Sequence, residues 1–284
     1  MNKYSFYGAI IGDIAGSYKE TIEYNAFLHG AKVTANERRK ILDFMVPLFS
    51  AKDSLTDDSI LTLAIANAIL TDYNYETALK NFGNFELRNN VDKYGRSKFG
   101  PGFTKWLKGE KEGNSFGNGS AMRISPIGYA FDSLEQTLIE AELATIPSHN
   151  HPDSIKSARA TAGAIFLART GKTKSEIKNF IEKTLEIKLD FNLFTLQEEN
   201  EFDATALGSV PKALFCFLES TNFEDAIRIA LSIGGDTDTI ACITGAVAGA
   251  YFGVPEYLAF EAEKFISDYY LDIINLFNDK FLIV

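Results

Sequence analysis

Three observations predict an all-α fold for this sequence. The 284 residues carry only 7 prolines, so long stretches are free to be helical. In those stretches apolar residues recur at spacings of three and four, the helical period. Helix-start signals precede several of them. Taken in chain order, the first element holds Gly8, Gly12 and Gly16, whose spacing by four leaves one side of a helix bare. Each glycine costs a helix up to about 1 kcal/mol, which a close approach by another backbone would offset. A second helix is expected from about Ser59 to Leu70. Ser133 and Gln136 form a capping-box pattern ahead of Leu138 and Ala141. A helix from Ile155 to Arg169 has Gly171 as its stop, and Thr173 with Glu176 opens the next, with Ile177, Phe180, Ile181 and Leu185 on one face. Phe223 to Ile233 is amphipathic, and Ile240 to Tyr251 is an apolar helix rich in small residues. Only Ile187, Leu189, Phe191 and Leu193 alternate as a strand would. No linker, repeat or low-complexity tract interrupts the pattern, so one domain over residues 1–284 is expected.

Composition narrows the function classes. With 46% hydrophobic and 23% charged residues the chain can bury a substantial core. Its formal net charge of −10 lacks the electrostatic footprint of a general nucleic-acid binder. The N-terminal stretch shows no secretory pattern, and the longest uncharged run, between Asp238 and Glu256, is Gly-interrupted and short for a membrane span. A cytoplasmic protein without membrane contact is the expectation. Cys216 and Cys242 form no CxxC, and only His29, His149 and His151 are present, so structural zinc and multi-histidine sites are disfavoured. Any bound metal is expected to be held by oxygen.

Two segments supply such oxygens. Thr56-Asp57-Asp58-Ser59 stands directly before an apolar helix. A cap needs a single acceptor, and adjacent acids at one N-terminus repel each other unless a cation lies between them. Gly234-Gly235-Asp236-Thr237-Asp238-Thr239 repeats the arrangement before the small-residue helix. Two such clusters can build a two-cation site that neither could build alone, and oxygen-only donors suit Mg²⁺, Ca²⁺ or Mn²⁺. The run Asp236 to Thr239 also fits a phosphotransfer motif, but that chemistry normally follows a buried strand, whereas Phe223 to Ile233 has helical spacing. A third segment, Phe116-Gly117-Asn118-Gly119-Ser120-Ala121-Met122-Arg123, can wrap a phosphate with backbone N–H groups while Arg123 adds a two-pronged cation; alone, such a segment is more often just a turn. Pro147 to Pro152, containing His149 and His151, fits either a helix N-cap or a ligand site. Asp13 and Glu20 are the acids of the glycine-spaced segment.

In their order along the chain, from about Gly8 to Pro255, these motifs resemble the ADP-ribosylglycohydrolase family, which includes the dinitrogen-reductase-activating glycohydrolase and the ADP-ribosyl-acceptor hydrolases. The resemblance implies a single-domain orthogonal helical bundle with a binuclear centre of two Mg²⁺ ions, Mn²⁺ being the alternative. It implies hydrolysis of the C1″ bond between ADP-ribose and an acceptor, with ADP-ribosylated protein as substrate; the sequence leaves the oligomeric state open, a monomer being favoured. Metal ligands are implied at Thr56, Asp57, Asp58, Asp236, Asp238 and Thr239. Substrate contacts are implied at Phe116, Gly117, Asn118, Gly119, Ser120, Met122, Arg123 and His149. Catalytic roles fall to Glu20, Asp57 and Asp58, with Glu20 on a flap-like run from Tyr18 to Asn25 that closes over the metals. One departure concerns Tyr94 to Trp106, where arginine-directed members place an aspartate and this chain has no carboxylate. That leaves serine-linked, nucleic-acid-linked or other conjugates open as substrates. An ADP-ribose sensor or immunity protein without turnover, and a metal-dependent phosphohydrolase, are the competing readings.

Overall fold

The computed structural model describes residues 2–90 and 98–282, and the departure noted at Tyr94 begins in the part outside them. Among the described residues there are sixteen α-helices, one short 3-10 turn and no β-strand. The all-α expectation holds. Buried apolar side chains from Phe6 to Leu282 form one connected cluster.

The centre of the fold is the pair formed by α1 (Tyr7–Leu28) and α14 (Thr237–Phe252). These two helices make the most extensive inter-helix contact in the molecule. Their approach is possible because α1 has no side chains along its inner stripe. A Cβ placed on Gly12 would lie 2.0 Å from the Ala241 carbonyl oxygen, and one on Gly16 would lie 2.4 Å from the Asp238 Cα. Backbone therefore meets backbone, which offsets the helical cost of glycine. Every residue of α14 from Thr237 to Ala250 is buried, as expected of a helix apolar on all sides. Around it pack α3 (Asp57–Leu70), α6 (Gly119–Met122), α9 (Pro152–Arg169), α12 (Ala206–Glu219) and α13 (Phe223–Ser232).

Other elements follow their start and stop signals. Thr173 and Glu176 make the full reciprocal capping box at the head of α10 (Lys174–Leu185). Ser133 makes only half of one before α8 (Leu134–His149): its hydroxyl accepts from the Gln136 backbone, while the Gln136 amide turns to Glu140. Gly171, with φ +82°, lies one residue beyond the C-cap of α9, where a left-handed conformation is required.

Two expectations are corrected. Ile187 to Asn192 is irregular rather than a strand, and Leu193 opens α11 (Leu193–Glu199). Its alternation buries Leu189 and rests Ile187 and Phe191 against the core. Among the described residues no neighbouring strand is available to complete a ladder, and the Leu189 N–H donates instead to the Glu182 side chain. The second correction concerns Glu20. Tyr18 to Asn25 is not a flap at the end of a helix; α1 continues unbroken to Leu28, and the left-handed Gly30 follows it. Neither glycine nor proline occurs between Gly16 and Gly30 to stop it earlier.

Candidate active site

Three helix segments converge on one acidic cleft. From α1 come Asp13 and Glu20, seven residues apart and therefore on one face. The first turn of α3 supplies Asp57 and Asp58, with Thr56 as its N-cap accepting from the Asp58 N–H. The start of α14 supplies Asp236 and Asp238. Asp236 occupies the N-cap position without bonding a backbone N–H of its own helix, so capping does not account for its carboxylate. Instead it accepts from Asn118 at 2.6 Å, and Asn118 is held in turn by Ser209 at 2.9 Å.

Asp13 was noted in the sequence as an acid but given no role, and the structure brings it to the middle of the cluster. Its Oδ2 accepts from the backbone N–H groups of Thr56 and Ser59, both at 3.1 Å, and its Oδ1 from the Thr56 hydroxyl at 2.5 Å. A carboxylate from α1 thus caps α3 across the interface, which fixes both the Thr56 oxygen and the first-turn acids. The available signal was a carboxylate next to Gly12 in the otherwise apolar, close-packing first half of the helix.

Carboxylate oxygens of Asp13, Asp58 and Asp238 lie within 4.8 Å of one another, and so do those of Glu20, Asp236 and Asp238. None of these residues forms an ion pair with a described Lys, Arg or His. Burial is the first cause that pushes all six carboxyl groups above their ordinary range, and mutual repulsion is the second for most of them. Glu20 is raised to about 7, by burial and then by Asp236 and Asp13, and Asp57 to about 8, by burial and then by Asp13. Asp58 and Asp238 are raised well above the carboxylate range. The Oδ1 of Asp58 is buried with no hydrogen-bond partner. A bare anionic oxygen in such a place costs several kcal/mol unless a cation meets it. All-oxygen donors suit a hard divalent ion. Thr56, Asp57, Asp58, Asp236, Asp238 and Thr239 all line the same cleft, which measures about 760 Å³.

The Gly117 to Arg123 loop lines part of this cleft, and Phe99, Phe103 and Trp106 line another part. Gly117, Asn118, Gly119, Met122, Arg123 and His149 line it together. Ser120 does not; it is buried, and its hydroxyl donates to the Ser154 carbonyl. Phe116 is 57% exposed and faces a smaller adjoining depression with Lys111 and Thr205, its ring 5.8 Å from that of His151. The Arg123 side chain is fully buried. One terminal nitrogen donates to Ser148 Oγ at 2.8 Å and to the Ala144 carbonyl at 3.2 Å, while its Nε and other terminal nitrogen have no partner. Burial holds its guanidinium down to about 9. Burial, and then the Arg123 charge, lowers the His149 imidazole well below its usual range, so His149 is neutral at physiological pH; its Nδ1 lies 2.8 Å from Ser148 Oγ.

A sequence profile of the ADP-ribosylglycohydrolase family matches residues 3–269. Bovine ADP-ribosylhydrolase ARH3 is 29% identical over 189 residues, half of this chain and 51% of that protein. The chain thus spans about half the length of such curated relatives. ADP-ribosylarginine hydrolase Tri1 of Pseudomonas putida is 23% identical over 274 residues, 87% of this chain and 69% of that one. A solved structure titled "ADP-ribosylglycohydrolase-related protein complex" shares the fold with a TM-score of 0.67, at 18% identity, covering 98% of this chain and 97% of that one. No described helix is long and apolar enough to cross a membrane.

Proposed function

Because the chain belongs to the ADP-ribosylglycohydrolase family, we propose that it hydrolyses the C1″ glycosidic bond between ADP-ribose and an acceptor, with two divalent cations, Mg²⁺ or Mn²⁺, in its acidic cleft. The observation that carries this reading is a set of six carboxyl groups without an ion-pair partner among the described residues, five of them lining one cleft and Asp13 beside Asp58 and Asp238, with the bare Asp58 oxygen among them. One group of ligands would be Asp13, Asp58 and Asp238 with Thr56, and the other Glu20, Asp236 and Asp238, with Asp57 and Thr239 alongside. When bound, the cations supply charge stabilisation and a frame that orients ribose hydroxyls and water.

The chain's own residues do the rest. The loop from Gly117 to Arg123 holds the diphosphate, with the buried charge of Arg123 behind it, and neutral His149 contacts the sugar end. The aromatic wall of Phe99, Phe103 and Trp106 limits water around the reacting carbon. Glu20 lines the cleft beside Asp236 and Asp238 and takes the proton of the attacking water. A second carboxyl group returns a proton to the departing acceptor, and we assign this role to Asp57, which lines the cleft.

The test is release of free ADP-ribose from peptides carrying it on serine or on arginine, with and without a chelator. Metal-dependent release from either linkage supports the proposal. Phosphate release from nucleotides without free ADP-ribose would replace it by a phosphohydrolase. Tight ADP-ribose binding with no turnover of any conjugate would replace it by a sensor.

A further inference from the structure

The buried ion pair between Arg38 and Glu23 lies outside the cleft, and its bonds run to both sides of the acidic cluster. Arg38 sits on α2 (Ala35–Arg39) and is 7% exposed, as is Glu23 on α1. The two pair through both prongs, Nε to Oε1 at 2.7 Å and a terminal nitrogen to Oε2 at 2.6 Å. Glu23 follows Glu20 by three residues, so this bond anchors the turn of α1 that presents Glu20. The remaining N–H groups of Arg38 reach the carbonyls of Gln197 and Asn200, at 3.2 and 3.0 Å.

From Asn200 the connection continues into the turn before Asp236. The Asn200 amide donates to the Gly234 carbonyl at 3.0 Å, and Lys212 fixes its amide oxygen at 2.6 Å. Gly234 takes φ +69°, and a Cβ there would lie 2.3 Å from the Arg38 guanidinium carbon. The guanidinium thus fills the space that any side chain at 234 would need. One planar fork touches α1, the segment after α11 and the Gly234 turn, all of them buried.

We propose that Arg38 is a positioning residue that sets the separation between Glu20 and the Asp236/Asp238 pair, and through it the affinity of the cleft for divalent cations. This rests on the reading of the acidic cluster as a cation centre. A five-donor planar group suits the task because it satisfies a carboxylate and two carbonyls at fixed angles; a lysine ammonium has the charge without that geometry. Residues that orient metal ligands from behind typically change affinity by about 10–100-fold when replaced.

The test measures Mn²⁺ binding by calorimetry, well below the melting temperature, in three proteins: wild type, Arg38→Lys, and the double variant Glu23→Leu/Arg38→Met. The double variant replaces the pair by apolar side chains and leaves no buried charge, so it remains folded if Arg38→Lys does not. Mn²⁺ affinity is expected to fall about 10–100-fold in each folded variant. For the double variant, melting in chelator should stay within a few degrees of wild type. A lowered melting temperature with wild-type Mn²⁺ affinity would make Arg38 merely structural and overturn the inference. Absence of Mn²⁺ binding in the wild type itself would instead overturn the cation centre, and this inference with it.

Discussion

Asp238 belongs to both carboxylate groups, so replacing it tests the cation reading with opposite signs in two conditions. In the cation-free protein, Glu20 is raised from 4.5 to about 7 and Asp57 from 3.8 to about 8. A carboxyl group whose folded pKa lies above its unfolded value contributes stability that is complete below the unfolded value. That contribution is lost as pH rises through the folded one. The cation-free protein should therefore weaken between about pH 4 and pH 8. For Glu20 alone the loss is roughly 3 kcal/mol, at 1.36 kcal/mol per unit. At about 2–4 °C per kcal/mol, melting should drop by about 6–12 °C over that range. A cation at a hundred times its dissociation constant returns about 2.7 kcal/mol, or roughly 5–10 °C, at pH 8. At pH 5 protons occupy the same oxygens, and the gain should shrink to a degree or two.

Asp238→Asn removes one charge from the repelling set while preserving an oxygen that can accept from the Thr239 backbone N–H, as Asp238 does at 2.8 Å. In chelator at pH 8 this variant should melt above the wild type, and Mg²⁺ or Mn²⁺ should no longer raise it. Differential scanning fluorimetry at pH 5 and pH 8, with and without cation, reads all of these values. A variant that melts below the wild type in chelator and still responds to cation would refute the reasoning. So would a wild-type cation shift of equal size at both pH values.

Further outcomes follow from the same geometry. Glu20→Gln keeps size and polarity but cannot take a proton, so kcat should fall roughly 10²-fold or more while ADP-ribose still binds by calorimetry. Arg123→Lys retains charge but loses the fork, and should weaken ADP-ribose binding by about 1–3 kcal/mol; unchanged affinity with a large fall in melting temperature would show that its bonds to Ser148 and Ala144 are its whole role. Gly12→Ala drives a methyl group against the Ala241 carbonyl at 2.0 Å, with backbone on both sides and nothing flexible to yield. It should cost 3 kcal/mol or more, at or above the usual overpacking range of about 1–3 kcal/mol, read as a lower denaturant midpoint. Asn118→Ala removes the donor to Asp236 and should weaken cation binding about 10-fold without changing the fold seen by circular dichroism.

What the sequence disclosed and what it hid divide along a physical line. Local signals were legible: the glycine stripe of α1, the capping boxes, and the two Thr/Asp clusters, because each is a pattern within one turn or two. The clusters could be paired in advance because both stand at helix N-termini and both hold more acid than a cap uses. The role of Asp13 was not legible, since a sequence places it on a helix face without saying that the first turn of α3 lies opposite. The same limit hid Arg38, whose partners stand 15, 159 and 162 positions away. Ile187 to Leu193 misled because alternate burial needs only a chain passing over a core, whereas a strand needs a neighbour. Glu20 was assigned the right cleft on the wrong element: its spacing from Asp13 is two helical turns, which required α1 to continue rather than to open into a flap.

The packing of α1 on α14 also explains why so much charge is tolerated at the heart of the fold. Gly16 touches the backbone of Thr237 and Asp238, so the contact that closes the core also sets Asp238 beside Asp13. The Thr237 hydroxyl, donating to the Gly16 carbonyl at 3.1 Å, fastens the two helices at that level. Repulsion among the acids acts against a backbone-to-backbone contact with little room to relax, and the cluster is held together before any cation arrives. A site built this way binds a cation without paying to gather its ligands, which is the advantage of a preformed centre over a loop that must fold around the ion. The cost appears in the cation-free protein as carboxyl groups that burial and mutual repulsion raise above their ordinary range.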